Sequence, residues 1–455
     1  MRNVIRYLES IGYTTTDPKY YDLIALWGRW YGGRVPSIHN YTVYNGLNRI
    51  RRFRKTLGLA KKICEDWANL LLNEKVEITA DNEEINKLVK EVLSYNRFSI
   101  YANQLLEKAF AFGTGAFVEY TDDDDIIIDY IAARSIFPLA WDNGDITECA
   151  FASERKVGKE RYIYLNIHRT DENGKYVIEN QYLRVGQGGG LTKTDLPDGI
   201  AEVVETGSPV PRFQIIYPNI ANNIDLDSPL GLSVYANALD QLETCDVLFD
   251  SFYNEFNLGR KRIMIPISMA QRIISQESGE KIPIFDENDV TFYAYETGDA
   301  TAKIDEMNGD LRIDAHVKGL SEAVNLAGYK CGFGEHKYKF DGSGVKTATE
   351  IISEDSDMFR SVRKHEAVIQ SAIEALYKAI ADMLGKTTDF SVGIDFDDSI
   401  IEDHAAEQAR DRQDVQDGIM SKVEYRMKYY HESEEDARAA LQEMEDVDAL
   451  MGFSV

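Results

Sequence analysis

The sequence is short of basic residues relative to acidic ones. Its 455 residues include 50 Lys and Arg against 77 Asp and Glu, so the formal net charge is −27 at pH 7. A protein that grips nucleic acid needs clustered Lys and Arg to bind phosphates. The charge balance therefore argues against a tight nucleic-acid binder.

Cysteine is also scarce. The four cysteines, Cys64, Cys149, Cys245 and Cys331, lie far apart, and three of them occupy ordinary apolar positions of helical patterns. This spacing fits neither a disulfide framework nor a zinc site, so we expect buried, unreactive thiols.

Long apolar runs are absent as well. Residues 1–7 lack the apolar stretch of a signal peptide, and no segment approaches the length of a transmembrane span. The content of 44% hydrophobic and 11% aromatic residues is ordinary for a globular protein. We expect a soluble protein of two or three domains, made in the cytoplasm and without a membrane partner.

Signals for catalysis or cofactor binding are few. The seven histidines form no His-x-x-x-His pair, and Ser343 lacks the Gly-x-Ser-x-Gly elbow of a nucleophile. The glycines at 186–190 follow a strand but precede no helix, which favours a hairpin loop over a dinucleotide site. Residues 344–347 lack the strand and the adjacent glycine and lysine of a P-loop. The sequence predicts no enzyme, no catalytic residue and no cofactor.

An acidic run, Asp122 to Asp125, offers carboxylates to a hard cation. It has neither the ligand spacing nor the glycine of an EF-hand loop, so a solvated hairpin tip is favoured and no metal site is predicted.

The first part of the chain, to about Phe112, has mostly helical patterns, at Leu57–Leu72, Glu83–Leu93 and Ile100–Phe112. It contains the strongest basic cluster of the sequence. A solvated face or a contact with an acidic neighbouring subunit is favoured for this cluster, and direct nucleic-acid contact is the alternative. The cluster consists of Arg49, Arg51, Arg52, Arg54, Lys55, Lys61 and Lys62.

From Gly113 to about Tyr217 short strand patterns replace the helical ones. Runs at 117–120, 126–130, 162–165 and 176–178 are separated by turn signals at 142–144 and 171–174. The pattern predicts an antiparallel sheet.

Two amphipathic helices flank an insert in the next region. The first is predicted at Leu232–Leu258, with Gly259 at C′, and the second at Ile313–Cys331. Gly319 and Gly328 on the second helix predict a close approach by a neighbouring helix. The insert shows strand-like runs at 263–267 and 290–295 around a short helical piece near 269–275.

A glycine-containing loop and a very long helix follow. Thr347 and Glu350 have the spacing of a capping box, and the apolar pattern continues to about Leu384, roughly 55 Å at about 1.5 Å per residue. The segment 402–447 is polar, acidic and helical, with capping-box spacings at Ser421–Glu424 and Ser433–Asp436.

This order resembles the portal proteins of tailed bacteriophages, in particular the group found in phages of Gram-positive-type hosts. The resemblance covers residues from about 20 to about 440. It depends on the order of several motifs, none of which is decisive alone. The motifs are Trp27 with Trp30, Tyr31 and Gly32; Asp66–Leu71 ahead of Asn73 and Glu74; the helix exit Phe256–Ile263; and Phe340–Ile351, which reads FDGSGVKTATEI.

The resemblance implies an α+β, portal-like fold and a division of the chain. The N-terminal part of a wing, helical and then β-rich, comprises 1–228, and the wing also receives the long helix and return strand at 347–400. Stem helices at 229–259 and 313–333 flank a small α/β clip at 260–312, and a tunnel loop covers 334–346. The acidic helical residues 401–455 belong to the wing or to a short crown.

The resemblance also implies the function. Portal subunits form a cyclic ring, usually a dodecamer, at the capsid vertex of the virion. Double-stranded DNA passes through the ring during packaging and ejection without sequence-specific contacts, and an acidic chain suits that role. Expected partners are terminase, a head-completion or adaptor protein, and the major capsid and scaffolding proteins. Another virion component, such as a minor head or connector protein, is the alternative, and a nucleotide-dependent DNA enzyme is a weaker one.

Three groups of residues carry these expectations. The stem interface comprises Leu239, Leu242, Phe249, Phe252, Val317, Leu320 and Val324. The clip docks partners near Arg260, Lys261 and Arg262, although these cations suit the end of a helix and a structural role is equally favoured. The DNA-facing tunnel loop comprises Lys337, Lys339, Gly342, Ser343, Gly344 and Lys346, and pairing of its lysines with acidic residues of the adjacent subunit is the alternative.

Overall fold

Helices and antiparallel strands occur in separate blocks of the chain. The computed structural model describes residues 1–44, 46–73, 75–123, 125–266, 273–274, 281–282, 292–295, 303–307, 309–334, 337–338, 348–396, 404–430, 433 and 437–442. Segregated helices and strands define the α+β class, as the sequence predicts.

Six helices make up most of the N-terminal block. They are α1 (Arg2–Ser10), α2 (Pro18–Tyr31), α3 (Pro36–His39), α4 (Leu59–Leu71), α5 (Glu83–Tyr95) and α6 (Phe98–Phe112). The carboxylate of Asp17 caps α2 by accepting the backbone N–H of Lys19 at 2.8 Å, and Pro18 fits the first turn. The three helices predicted between residues 57 and 112 are confirmed as α4, α5 and α6, with slightly shifted ends.

The basic cluster lies partly on a β-hairpin in a region that was predicted to be mostly helical. Strands β1 (Asn40–Tyr44) and β2 (Arg49–Phe53) pair antiparallel, with Asn40 opposite Phe53 and Tyr44 opposite Arg49. No particular helix is predicted at these residues, and their Thr, Val, Tyr and Ile side chains favour extended backbone. A third strand, β3 (Glu77–Ala80), follows α4.

Antiparallel sheet fills the central block, as predicted. Its strands are β4 (Gly115–Asp122), β5 (Asp125–Ala132), β6 (Ile136–Asp142), β7 (Asp145–Val157), β8 (Glu160–Thr170), β9 (Tyr176–Val185), β10 (Leu191–Thr194), β11 (Val203–Glu205) and β12 (Phe213–Ile216). One sheet has the order β10-β9-β8-β7-β6 with β11 on β9, and a second has β12-β4-β5. The turn between β6 and β7 holds Asn143 and Gly144 at φ 49° and 89°, and the glycines at 186–190 form the predicted hairpin loop.

The second half of the chain is largely helical around a β-containing insert. The elements are α7 (Leu239–Leu258), β13 (Arg262–Pro266), β14 (Ile273–Ile274), β15 (Lys281–Ile282), β16 (Phe292–Tyr295), β17 (Asp305–Met307), α8 (Ile313–Lys330), α9 (Ala348–Met383), β18 (Val392–Asp395), α10 (His404–Gln416) and α11 (Lys422–Tyr430). Strand β18 returns to pair with β3. The predicted helix at 313–331 and the long helix that ends near Leu384 are confirmed as α8 and α9.

The first predicted helix of this region begins later than expected. Residues 232–235 are buried but not helical, and α7 starts at Leu239 after a 3₁₀ turn at Ala236–Ala238. The backbone N–H of Val234 donates to the Phe110 carbonyl at 2.9 Å, and the Tyr235 hydroxyl donates to the Trp27 carbonyl at 2.8 Å. The apolar spacing at 232–235 therefore reflects burial of an irregular segment rather than a helical face.

Two glycines allow this segment to reach the core. A Cβ on Gly113 would lie 2.1 Å from the Gly231 carbonyl oxygen, and a Cβ on Gly231 would lie 2.2 Å from that of Gly113. Gly113 also has φ 87°, a conformation that disfavours other residues. The end of α6 and the approach to α7 thus meet backbone to backbone.

Three smaller predictions have mixed outcomes. The strands predicted at 263–267 and 290–295 correspond to β13 and β16. The helical piece predicted near 269–275 is wrong at Ile273 and Ile274, which form strand β14. The other residues of that piece lie outside the described ones. The capping box Ser421–Glu424 is confirmed by reciprocal bonds of 2.8 and 3.1 Å. The other two predicted capping boxes, at Thr347 and Ser433, include residues outside the described ones.

Candidate functional site

The helices α7 and α8 pack against each other and carry the predicted stem residues. Leu242 and Val324 are buried within the subunit, and Val317 is exposed. The other four, Leu239, Phe249, Phe252 and Leu320, are half-buried. Side chains buried within one subunit are not free to contact another, so only the exposed and half-buried members remain candidates for an interface between subunits.

Apolar surface remains open at the carboxyl end of α7. A cleft of ≈ 320 Å³ is lined by Phe249, Phe252, Tyr253, Phe256, Asn257 and Arg260. On α8 four large apolar side chains are exposed in two pairs, Ile313 with Val317 and Leu326 with Tyr329. The nine-residue step from Val317 to Leu326 places the two pairs on opposite sides of the helix. These side chains form what we call the stem face. Exposed apolar side chains grouped in this way fit an interaction site on each side of α8.

Two aspartates on α7, which the sequence patterns did not single out, are buried. The Asp246 carboxylate accepts from His39 Nε2 at 2.9 Å and from the Leu57 backbone N–H at 2.7 Å. The Asp250 carboxylate accepts from the Lys55 backbone N–H at 2.9 Å and from the Tyr41 hydroxyl at 3.3 Å. Buried carboxylates require such partners. One side of α7 therefore holds the base of the β1–β2 hairpin, and the aromatic side remains open.

A charged clamp closes the base of the insert. The Glu255 carboxylate accepts hydrogen bonds from the Arg312 backbone N–H at 2.9 Å and from Arg312 Nη2 at 2.7 Å. It also lies 3.3 Å from His316 Nε2. The hydrogen bonds from Arg312 hold the pKa of Glu255 down at about 2. The two helices are thereby joined where the chain leaves α7 and returns to α8.

Gly259 ends α7 as predicted, but for a different reason. Its φ of −77° is not left-handed. A Cβ there would lie 2.6 Å from Leu311 Cδ2 and 2.5 Å from the Glu255 carbonyl oxygen. Glycine is needed for the close passage of the returning chain.

The three predicted docking cations have different surroundings. Lys261 Nζ pairs with Glu306 at 2.6 Å, so it joins β17 to the start of β13. Arg262 donates to the Leu258 carbonyl at 3.1 Å and lies over the Tyr293 ring at 5.8 Å. Arg260 is exposed at the edge of the cleft. The contacts of Lys261 and Arg262 favour the structural alternative for these two residues, and docking remains a prediction.

The chain leaves α8 through an ordered turn rather than a flexible one. The N–H of Phe333 donates to the Gly328 carbonyl at 3.1 Å and Gly332 has φ 91°, which is a Schellman motif. Phe333 stacks on Trp67 with ring centroids 4.6 Å apart, and Trp67 Nε1 donates to the Cys331 carbonyl at 3.0 Å. Gly332 therefore terminates a helix end that is held against the core.

The start of the predicted tunnel loop is also fixed to the core. The Tyr338 hydroxyl donates to Asp66 at 2.9 Å, and a Cβ on Gly328 would lie 2.8 Å from the Tyr338 ring. Gly328 therefore admits this ring rather than a neighbouring helix, and Gly319 has open space. Lys337 is exposed. The loop residues Lys339, Gly342, Ser343, Gly344 and Lys346 lie outside the described residues.

The buried titratable groups are isolated from solvent. Burial raises the pKa of Cys245 and Cys331 to about 12 and lowers the pKa of His168 and His365 to about 3. All four cysteines are buried, as predicted. Among the described residues no group of three or more His, Cys, Asp or Glu is placed to hold a metal ion. No described helix is long and apolar enough to cross a membrane.

Comparison with known proteins identifies the family. The family model described as "Phage portal protein, SPP1 Gp6-like" matches residues 13–449 of the 455. No curated protein matches the chain significantly. The match spans nearly the whole sequence, so the chain belongs to the SPP1 Gp6-like family of phage portal proteins. It is a portal subunit, a bacteriophage capsid protein concerned with DNA packaging, and the family is structural rather than enzymatic.

Proposed function

We propose that copies of this chain form a closed ring, a dodecamer, at the capsid vertex, and that DNA enters and leaves through its channel. The stem face carries this proposal. It exposes Ile313, Val317, Leu326 and Tyr329 on α8 after α8 has packed against α7. A cyclic arrangement lets one subunit bury such a face against a different face of the next. The cleft at the end of α7 offers an apolar surface of that kind.

The remaining parts of the chain take their roles from their positions relative to the stem. In this proposal 1–228 and 347–400 form the wing, 229–259 and 313–333 the stem, and 334–346 the tunnel loop. The acidic residues 401–455 lie on the capsid-facing side, and capsid and scaffolding proteins contact the wing. The pairing of β3 with β18, which joins the two proposed wing segments, supports this grouping.

The insert at 260–312 is proposed as the clip, which docks terminase and later a head-completion protein. The three-stranded sheet β16-β13-β17 and the Glu255–Arg312 clamp support this role. Together they hold the insert at one end of the α7–α8 pair, where other proteins can reach it. Such a chain acts through contacts rather than through a chemical reaction.

Ring formation is tested by charging the stem face. Val317→Asp with Leu326→Asp places one carboxylate on each side of α8, in the proposed contacts with neighbouring subunits, where burial of each costs several kcal/mol. Both side chains are exposed in the subunit, so its fold is expected to survive. Leu320→Asp is a poorer test, because Leu320 is half-buried against the subunit core.

Electron microscopy of the purified protein measures the outcome. The parent is expected to form rings with a central hole, and the double variant to remain a folded monomer by circular dichroism and light scattering. Val157→Asp, an equally apolar and exposed site on β7, is the control and should form rings. A parent that stays monomeric, or a double variant that forms normal rings, would refute the proposal.

A further inference from the structure

The β1–β2 hairpin presents an exposed face on which only Phe53 lies near a cation of the same subunit, the Arg34 guanidinium, 6.0 Å from its ring centroid among the described residues. Its two strands pair only with each other among the described residues. An isolated two-stranded hairpin is at best marginally stable in water. The strand register places six exposed residues on one side, which we call the outer face. It comprises Asn40, Thr42, Tyr44, Arg49, Arg51 and Phe53.

The hairpin is nevertheless held firmly at its base. His39 bonds Asp246, and the chain on the other side bonds Asp250 through the Lys55 N–H and Asp246 through the Leu57 N–H. The N–H of Arg54 donates to the His39 carbonyl at 2.8 Å, which ties the two ends of the hairpin together. A face fixed in this way loses little conformational entropy when it binds a partner.

The composition of the outer face is that of a protein interface. Tyr44 and Phe53 are 66% and 62% exposed, respectively, and stand beside two exposed arginines. Aromatic residues and arginine are enriched in protein interfaces and dominate their binding energy. No carboxylate of the described residues pairs with Arg49 or Arg51. These guanidinium groups are therefore available to an acidic surface outside the subunit.

We propose that the outer face docks on an acidic surface of a neighbouring copy of this chain, an inference that rests on the ring proposed above. The net charge of the chain favours a second copy of the chain as the binding partner. Copies that each carry a net charge of −27 repel one another, so their assembly requires local contacts between cations and carboxylates. Duplex DNA would pair its phosphates with the arginines, but its bases are stacked on one another and would leave the exposed Tyr44 and Phe53 rings without an apolar partner.

Charge reversal tests the contact. Arg49→Glu with Arg51→Glu sets acid against acid and is expected to raise the subunit concentration needed for ring assembly by at least ~10-fold. The matched control, Lys156→Glu with Lys159→Glu, makes the same change in charge at exposed positions of the β7–β8 hairpin and should assemble like the parent. Phe53→Ser, which keeps the charges, should also weaken assembly. Native mass spectrometry and analytical ultracentrifugation over a salt series provide the measurement.

Each result is decisive. Assembly of the Arg49→Glu, Arg51→Glu variant equal to that of the Lys156→Glu, Lys159→Glu control overturns the contact while leaving the ring intact. Normal assembly combined with weaker retention of a 40-bp DNA duplex assigns the arginines to nucleic acid and also overturns it. A parent that never assembles refutes the ring and, with it, this contact.

Discussion

Glu119 is a carboxyl group buried inside the sheet β12-β4-β5. It is fully buried, accepts from Gln214 Nε2 at 3.1 Å and lies near the buried Arg212. Within the described residues, Glu119 Oε1 and Gln214 Oε1 have no hydrogen-bond donor. Burial raises the pKa of Glu119 to about 8. When Glu119 is protonated, its carboxyl O–H supplies the hydrogen-bond donor that Glu119 Oε1 and Gln214 Oε1 otherwise lack.

The raised pKa of Glu119 makes stability depend on pH in a defined direction. The folded protein holds this proton up to pH about 8, whereas the unfolded chain releases it near 4.5. The folded state thus binds more protons between these values, and the free energy of unfolding falls as pH rises from 4.5 towards 8. Glu119→Gln keeps a neutral side chain at every pH. We expect it to reduce the loss of thermal stability between pH 5 and pH 8.

Comparison of the variants isolates this effect. His168 and His365, with pKa values of about 3, favour unfolding as pH falls below 6.5, and they do so equally in the parent and in Glu119→Gln. Glu205→Gln, at an exposed position, is the control and should unfold like the parent. Equal pH dependence of the melting temperature in the parent and in Glu119→Gln would show that Glu119 is ionised in the folded protein over this pH range.

At the scale of elements, three sides of α7 have different surroundings. Asp246 and Asp250 hold the base of the hairpin, Leu242 and Cys245 enter the core, and the aromatic side lines the open cleft. At its end, Glu255 joins the two arms of the insert through Arg312. Among the described residues of the insert, β14 and β15 pair with each other and not with the sheet β16-β13-β17.

This separation allows the clip to be tested without removing the stem. Deletion of residues 269–282 removes β14 and β15 and leaves β13, β17 and the clamp in place. We expect rings of this variant to form normally and to lose binding of the terminase large subunit of the same phage in a pull-down. Intact rings that bind terminase as strongly as the parent would contradict the docking role.

At the scale of the whole molecule, the dominant property is the negative charge. In the proposed ring, copies that each carry a net charge of −27 are expected to repel DNA at most points of the channel. Weak, scattered cationic contacts then touch phosphates without holding them, which suits DNA that has to move. Lys337 is exposed beside the anchored Tyr338 and is a candidate for such a contact.

The tunnel lysines are tested together in the assembled phage. Lys337→Glu with Lys339→Glu is expected to leave ring assembly unchanged and to reduce the DNA packaged or retained in the head. Lys87→Glu with Lys90→Glu, on the exposed side of α5, controls for the change in charge. Normal packaging by intact rings would exclude a DNA-facing role, and a loss of ring assembly would support pairing with the adjacent subunit.

The sequence by itself determined the elements with strong local signals. The periodicity of α4 to α6, α8 and α9, the turn at Asn143–Gly144 and the capping box at Ser421 each depend on residues close together in the chain. For the same reason the order of the elements was sufficient to indicate the portal family. Short-range patterns of this kind specify a helix or a hairpin before any distant contact is made.

Only the tertiary structure decided how these elements are used. Residues 232–235 have helical spacing but are irregular, because Val234 and Tyr235 bond to residues more than a hundred positions away. Asp246 is buried rather than solvated because His39 and Leu57 reach it from the hairpin. Local patterns contain no information on such partners. The backbone contact of Gly113 with Gly231 and the stem face that remains exposed are likewise consequences of packing between distant segments.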